Sequence, residues 1–453
     1  MSAPKTRDGT SALDSALVQQ HLDDGARPEQ APGRAIAQVA LPEVVNHTPF
    51  PSQYFQSVDQ HGTVFHVVAL RVTYDLRTTP SGGTLAYAQQ QTELATQDQW
   101  SGAVNDSSPL WESDFAPYKP KCDVLVVNAM SRPPTPGQAA KRWPCGLALQ
   151  WSEDAIGTSH TTVHGRSAQS KTRSWSKRIC VTGPRQYGVL GLSEPQPALE
   201  VAVHWQHAFG GQDKRPATDE YKADGSLKKA AGADHWKTDE RNPVGVGLSQ
   251  SSGERGPQIE VFEQPYSAGL GQGKYPSVGL SALGKTWQPR RSLAGTYDNA
   301  WLKDQWPLPP MDFDFAYWNC APQDQQVDYL PPGTKMMLLN LYGHTHPNGT
   351  STLNDATHTG KQDGEPWSAQ LPMHQVFMAA AVMREGKVHW DEEAMNLDTL
   401  VIDLAAQQVY AIHRFVLAEN DLQGQRLLSL EAHLAPPGQP DARIAPEEFG
   451  PLG

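Results

Sequence analysis

TVFHVVALRVTYDL, residues 63–76, alternates in a way that suits an extended chain. Val64, His66, Val68, Leu70, Val72 and Tyr74 fall on one side of a strand, and Phe65, Val67, Ala69, Arg71 and Thr73 on the other. The first set is apolar apart from one histidine, so the stretch predicts a sheet strand with at least one fully buried face. Runs of similar texture follow at residues 122–129, 145–151, 199–204, 335–342, 399–402 and 408–417, each bounded by Pro, Gly or Asn-Asp turn signals. LDTLVIDLAAQQVYAIHRFVL, 397–417, reads as two strands of a hairpin joined at DLAAQQ. Helical patterns are few: 298–304 suits one short helix, and 373–383 fits either a helix or a buried strand.

The expected fold is therefore mainly β, with two sandwich-like or barrel-like lobes, long ordered loops and a few short helices. Residues 1–39 are polar, lack the apolar surface to offset the entropy of ordering, and read as a disordered extension. An N-terminal β lobe is expected over 40–205 and a C-terminal one over 301–435, with a tail at 436–453. Between the lobes, 206–300 is Gly- and Pro-rich and too long for an ordinary connection, which predicts ordered functional loops.

Composition narrows the function classes. A chain of 453 residues can bury more than one small core. Its 38 glycines and 37 prolines, with only 19% charged residues against about 25% in an average domain, favour strands and ordered loops over long charged helices. The net charge of −12 argues against a nucleic-acid or anionic-membrane surface. The basic stretch KTRSWSKR, 171–178, reads as a solvated edge strand or loop. Cys122, Cys145, Cys180 and Cys320 form no CxxC pair and read as small buried hydrophobes in a reducing compartment. The N-terminus has no apolar core of a signal peptide, and the longest apolar run, 376–383, falls well short of the ~20 residues that span a bilayer. A soluble cytoplasmic protein is expected.

Catalytic signatures are weak. GLGQGK, 269–274, lacks phosphate-loop spacing and the Ser or Thr after its lysine, and GLSALG, 279–284, has Leu283 where a nucleophile elbow needs its second glycine. GHTHPNG puts His344 and His346 two apart, on one face of a strand, with His358 and His374 downstream and Asp312 and Asp314 upstream. A metal-dependent hydrolase built on that histidine pair is one alternative; the competing explanation is a Pro-Asn-Gly turn carrying exposed histidines, with no HExxH spacing to support a metal. More pronounced is the aromatic content of the loops, including Trp100, Phe115, Tyr118, Trp287, Tyr297, Trp301, Trp306 and Trp318. Such side chains either pin loops onto sheets or anchor a protein-binding surface, and together they favour an extended surface over a catalytic pocket. A glycan- or envelope-binding module is a further alternative, and requires solvent-exposed rings. In FDFAYWNCAPQDQQ, 313–326, the aromatic half should pin a loop, while the turn at Ala321 and Pro322 offers Gln323 to Gln326 to either the protein's own backbone or a partner.

Several phrases carry a resemblance: NHTPF (46–50), SDFAPYKPKCDVLVV (113–127), HAFGG (207–211), NPVGVG (242–247), IEVFEQP (259–265), TYDNAWLKDQWPLPPMDFD (296–314), NCAPQDQQV (319–327) and LDTLVID (397–403). In order and spacing they resemble, over roughly 40–420, a bacterial domain-of-unknown-function family found beside type VI secretion effectors. The resemblance implies an adaptor or chaperone that holds an effector toxin and helps load it onto the spike, with no catalytic residues, metal or cofactor to carry over. It implies the toxin as direct partner and the spike protein through it. Two departures stand out: Trp205, Gln206 and His207 replace an aromatic-Glu-Arg, leaving neutral groups, and VTGPRQY (181–187) keeps only Arg185 and Tyr187 of a basic-aromatic ending. An acidic carrier would complement a basic toxin. The residues expected to contact the partner are Phe209, Trp301, Trp306, Trp318, Gln325 and Gln326.

Overall fold

The computed structural model describes residues 41–152, 171–213, 220–224, 226–229, 237–267, 275–343 and 366–445. The extension expected over 1–39, GLGQGK, His344, His346 and His358 lie outside these residues.

The chain is mainly β, with one α-helix and several short 3-10 turns among the described residues. Strands β1 (Glu43–Asn46) and β2 (Ser52–Val58) precede the long β3 (Val64–Asp75); β4 (Cys122–Val127), β5 (Arg142–Ser152) and β6 (Thr172–Thr182) follow. After β7 (Ile259–Val261) and helix α1 (Asn299–Asp304) come β8 (Gln326–Val327), β9 (Lys335–Leu339) and β10 (Trp367–Gln370). The chain closes with β11 (Gln375–Arg384), β12 (Lys387–Ala394), β13 (Asn396–Asp403), β14 (Gln408–Ala418) and β15 (Arg426–Ala435). The ambiguous stretch 373–383 is thus mostly strand β11, and the short helix falls where its pattern placed it, capped by Asp298, whose carboxylate accepts the Trp301 N–H at 2.8 Å.

One sheet runs β2-β3-β14-β13-β4-β8, another β7-β6-β5-β9-β10, each with a short extra strand, and a third β1-β15-β11-β12. The hairpin 397–417 forms as β13 and β14, antiparallel, with β13 running parallel to β4 so that Thr399 lies opposite Asp123. Both outer edges of this hairpin carry backbone groups that need partners, and β3 and β4 supply them. The large sheets consequently mix strands from both sides of the 206–300 segment, and the boundaries 40–205 and 301–435 do not separate two sheets. Nor does 206–300 run free between lobes: β7 pairs with β6, and Leu280, Leu283 and Trp287 lie in the main core.

That core is shared by all three sheets. Val68, Leu70 and Val72 from β3, Trp143, Leu147 and Leu149 from β5, and Met378, Ala380 and Val382 from β11 belong to one cluster. The alternation read in β3 holds, but its second face is covered as well: Val67, Ala69, Arg71 and Thr73 are all buried. HAFGG and NPVGVG prove to be mutual partners, with Phe209 opposite Val246 and Gly210 opposite Gly247 in parallel pairing. All four cysteines are free and buried, and burial pushes the Cys145 thiol up to about 12, which leaves it unreactive near neutral pH.

Candidate partner-binding surface

The second face of the β3-β14-β13-β4 core presents charges to the loops that cover it. Arg71 of β3 donates to Asp114 at 2.8 Å and lies 4.0 Å from the centre of the Tyr410 ring. Arg414 of β14 pairs with Asp398 at 2.5 Å and donates to the Asp114 carbonyl at 3.0 Å. Lys119 donates to Asp123 and to Thr399 Oγ1, each at 2.8 Å. Asp123 also accepts the backbone N–H groups of Cys320 and Ala321 at 2.9 and 3.1 Å, and the Asn319 amide at 3.1 Å. Burial alone would lower the Lys119 pKa, but the facing Asp123, with Asp398 adding to it, outweighs burial and holds the ammonium above its usual range. Arg290 is similarly held up by Glu112, at 2.5 and 2.7 Å, and donates to the Tyr317 carbonyl at 2.7 Å. The layer thus ties the loops 112–123 and 283–321 to the sheet through paired, hydrogen-bonded charges.

Above this layer lies an aromatic surface. Phe315 meets Phe65 of β3 at 6.0 Å, Tyr118 at 5.7 Å and Phe313 at 5.4 Å; Phe313 continues to Tyr317 at 5.9 Å, and Tyr317 to Trp318 at 5.7 Å. Asp314 caps the Phe315–Trp318 turn by accepting the Ala316 N–H at 2.8 Å. Asp312 takes the Thr296 N–H and hydroxyl at 2.9 and 2.7 Å, joining this turn to the segment bearing Tyr297 and α1. There Tyr297 packs edge-on to Trp301 at 4.7 Å, and the Trp301 indole donates to the Leu308 carbonyl at 2.9 Å. Four large apolar side chains remain exposed here, Tyr297 at 57%, Leu302 at 50%, Trp306 at 58% and Met311 at 58%, interspersed with the exposed charges of Asp298, Lys303, Asp304 and Asp312. Beside Trp318 an open groove of about 650 Å3 is lined by Trp100, Phe115 and the Asp98–Lys285 pair, which is held at 2.8 Å.

The six expected contact residues lie in different environments. Trp301 and Trp306 sit together on the α1 segment, Trp306 exposed and Trp301 half-buried, and Trp318 lines the groove. Phe209 is buried against Tyr266 and Tyr275 and presents nothing to a partner, because the two glycines after it draw the backbone tightly against the 242–247 segment. Gln325 is wholly buried as well. It donates to the Val124 and Leu280 carbonyls at 2.7 and 2.9 Å and accepts from Lys177 at 2.7 Å, so its hydrogen bonds are spent inside the molecule. Gln326 donates to the Ala321 carbonyl at 2.8 Å and is half-buried.

Two sequence features considered separately meet at this point. Lys177, from the basic stretch 171–178, bonds Asp324 and Gln325, and Trp175 donates to the Asp324 carbonyl at 2.8 Å. The rest of that stretch is largely exposed, as an edge segment should be; Lys177 is the exception, and its burial lowers its pKa, with Asp324 partly offsetting. Gln206 accepts from Ser108 at 2.8 Å and His207 bonds the Ala202 carbonyl at 2.8 Å, neutral bonds at the site of the missing Glu and Arg. Sequence reasoning missed Leu302 and Met311 as exposed apolar residues, and the Asp98–Lys285 pair, whose members stand 187 positions apart. Leu302 and Trp306 are four apart and flanked by Pro307, a signal that could have shown the outer face of α1.

A family model described as "Uncharacterized protein conserved in bacteria (DUF2169)" matches residues 61–414. The chain belongs to the DUF2169 family. No curated protein and no solved structure matches the chain. The DUF2169 match covers the buried charge layer from Arg71 to Arg414, the aromatic surface and the groove, whereas NHTPF at 46–50 lies before it. Within the described residues of this DUF2169 chain no group of three His, Cys, Asp or Glu side chains is placed to hold a metal ion, and no helix is long and apolar enough to cross a membrane. Trp287 is buried against Trp205 at 5.7 Å, so Trp287, Trp301, Trp306 and Trp318 do not form one exposed platform of rings.

Proposed function

We propose that this chain is a non-enzymatic adaptor or chaperone that binds a type VI secretion effector toxin in the cytoplasm, stabilises it and promotes its loading onto the spike, which it reaches through the effector. The observation that carries this reading is the exposed apolar surface of Tyr297, Leu302, Trp306 and Met311, mounted on loops that the buried charge layer holds in place. Aromatic and Met side chains are the types enriched where proteins meet, and apolar groups clustered on a rigid base lose little entropy on binding. The class of partner follows from the resemblance of the sequence motifs, and the net charge of −12 suits a basic cargo.

Co-expression with a type VI effector, the partner this reading requires, tests it. A stable complex is expected, together with loss of soluble effector and of its secretion in a strain lacking this chain. An effector that stays soluble, stable and secreted without it would overturn the proposal.

A further inference from the structure

Strand β12 stands at the end of its sheet, paired with β11 alone among the described residues, and is unusual in exposing both faces. Val388 is 49% exposed and Trp390 50%. An open edge that carries apolar side chains invites another strand, and natural proteins usually blunt such edges. The charges on β12 select which strand could enter, and the geometry points to a second copy of β12, running antiparallel about a two-fold axis at Trp390.

The register follows from the hairpin. Glu385 and Gly386 both have positive φ, 50° and 76°, the signature of a two-residue turn in which the flanking pair, Arg384 and Lys387, exchanges hydrogen bonds. Pairing then alternates, so His389, opposite Val382, and Asp391, opposite Ala380, are also bonded to β11. Val388, Trp390 and Glu392 therefore turn their N–H and C=O groups to the free edge. Placing Trp390 opposite Trp390 of the second copy brings each Val388 opposite Glu392, and these three residues fill the backbone ladder.

The same register matches the side chains. Lys387 comes opposite Glu393 and His389 opposite Asp391, in positions that are not hydrogen-bonded and so bring side chains closest. Neither Lys387 nor Glu393 has an ion-pair partner among the described residues, whereas Asp391 is held by Arg384 and Glu392 by Arg443. On the opposite face the two indoles meet, flanked by Val388 and the stem of Glu392. Sliding the pairing so that the axis falls at Asp391 would set that carboxylate against its own copy, which disfavours the shifted register. An edge this short buries less than a standard interface, so the dimer is reversible and concentration-dependent.

Sedimentation of the full chain over a range of concentrations tests the inference. The native chain should show a monomer–dimer equilibrium. Lys387→Glu turns two attractive cross-strand pairs repulsive and should weaken dimerisation about tenfold, Lys387→Glu with Glu393→Lys should restore it, and Trp390→Lys should give monomer with an unchanged circular dichroism spectrum. A chain that is monomeric at every concentration, or a dimer indifferent to Lys387→Glu, would overturn the inference. So would a monomer whose Trp390→Lys variant loses an effector, since the edge would then serve a partner's strand.

Discussion

Gln325 poses the sharpest question at the scale of single residues, because its amide is equally suited to a backbone or a partner. Its three bonds to Lys177, Val124 and Leu280 lie inside the molecule, so removing it leaves buried donors and acceptors unmatched. Gln325→Ala should cost roughly 1–3 kcal/mol in chemical denaturation, with affinity of the folded protein for its partner unchanged. A stable variant that no longer binds would show the opposite assignment. His413 gives a second test. It lies on β14 opposite Leu70, and burial pushes its imidazole down to about 4 from an ordinary 6.5, with Asp398 acting against the shift. Above pH 6.5 the group is neutral folded or unfolded and contributes nothing to the pH dependence. Between pH 6.5 and 4 the unfolded chain takes up a proton that the folded one refuses, so stability falls, by up to about 3 kcal/mol. His413→Gln should remove that part of the acid destabilisation; superimposable pH–stability curves for the variant and the native chain would contradict it.

At the scale of elements, the period of two in 63–76 and the hairpin at 397–417 were legible, since a strand with one apolar face must alternate. The burial of the opposite face was not. Arg71 is a lone cation on that face until Asp114, 43 positions away, is brought onto it by a loop whose path no local pattern encodes. The same limit explains the mixed outcome at the candidate surface: a tryptophan beside prolines announces a loop, but whether the ring faces in or out depends on what lies beneath it. Phe209 and Trp306 look alike in sequence and differ because HAFGG carries glycines that bring its strand against a neighbour. Gly211 has φ of +90°, and a Cβ there would lie 2.2 Å from the Gly245 carbonyl oxygen. Gly211→Ala should therefore destabilise the chain by at least about 2 kcal/mol, measured by thermal or denaturant unfolding, because it forces apart the 207–211 and 242–247 segments. A neutral effect would mean that this pairing contributes little.

For the whole molecule, three sheets share one core, and Leu110, Ala282, Cys320 and Ala321 pack on the second face of the largest sheet. The buried charge pairs explain how so much irregular chain stays fixed, since breaking one partner of such a pair costs about 3–5 kcal/mol. That rigidity is what turns an aromatic-rich loop into a surface suited to binding. Trp306 and Met311 are both largely exposed, so replacing them by Ser should change stability by no more than about 0.5 kcal/mol. The most direct test is calorimetric titration of a type VI effector, the proposed partner, with the native chain and with the Trp306→Ser, Met311→Ser double variant. The account predicts binding to the native chain and a loss of at least about tenfold in affinity in the variant, at an unchanged melting temperature; equal affinity for both, or no binding to either, would contradict it.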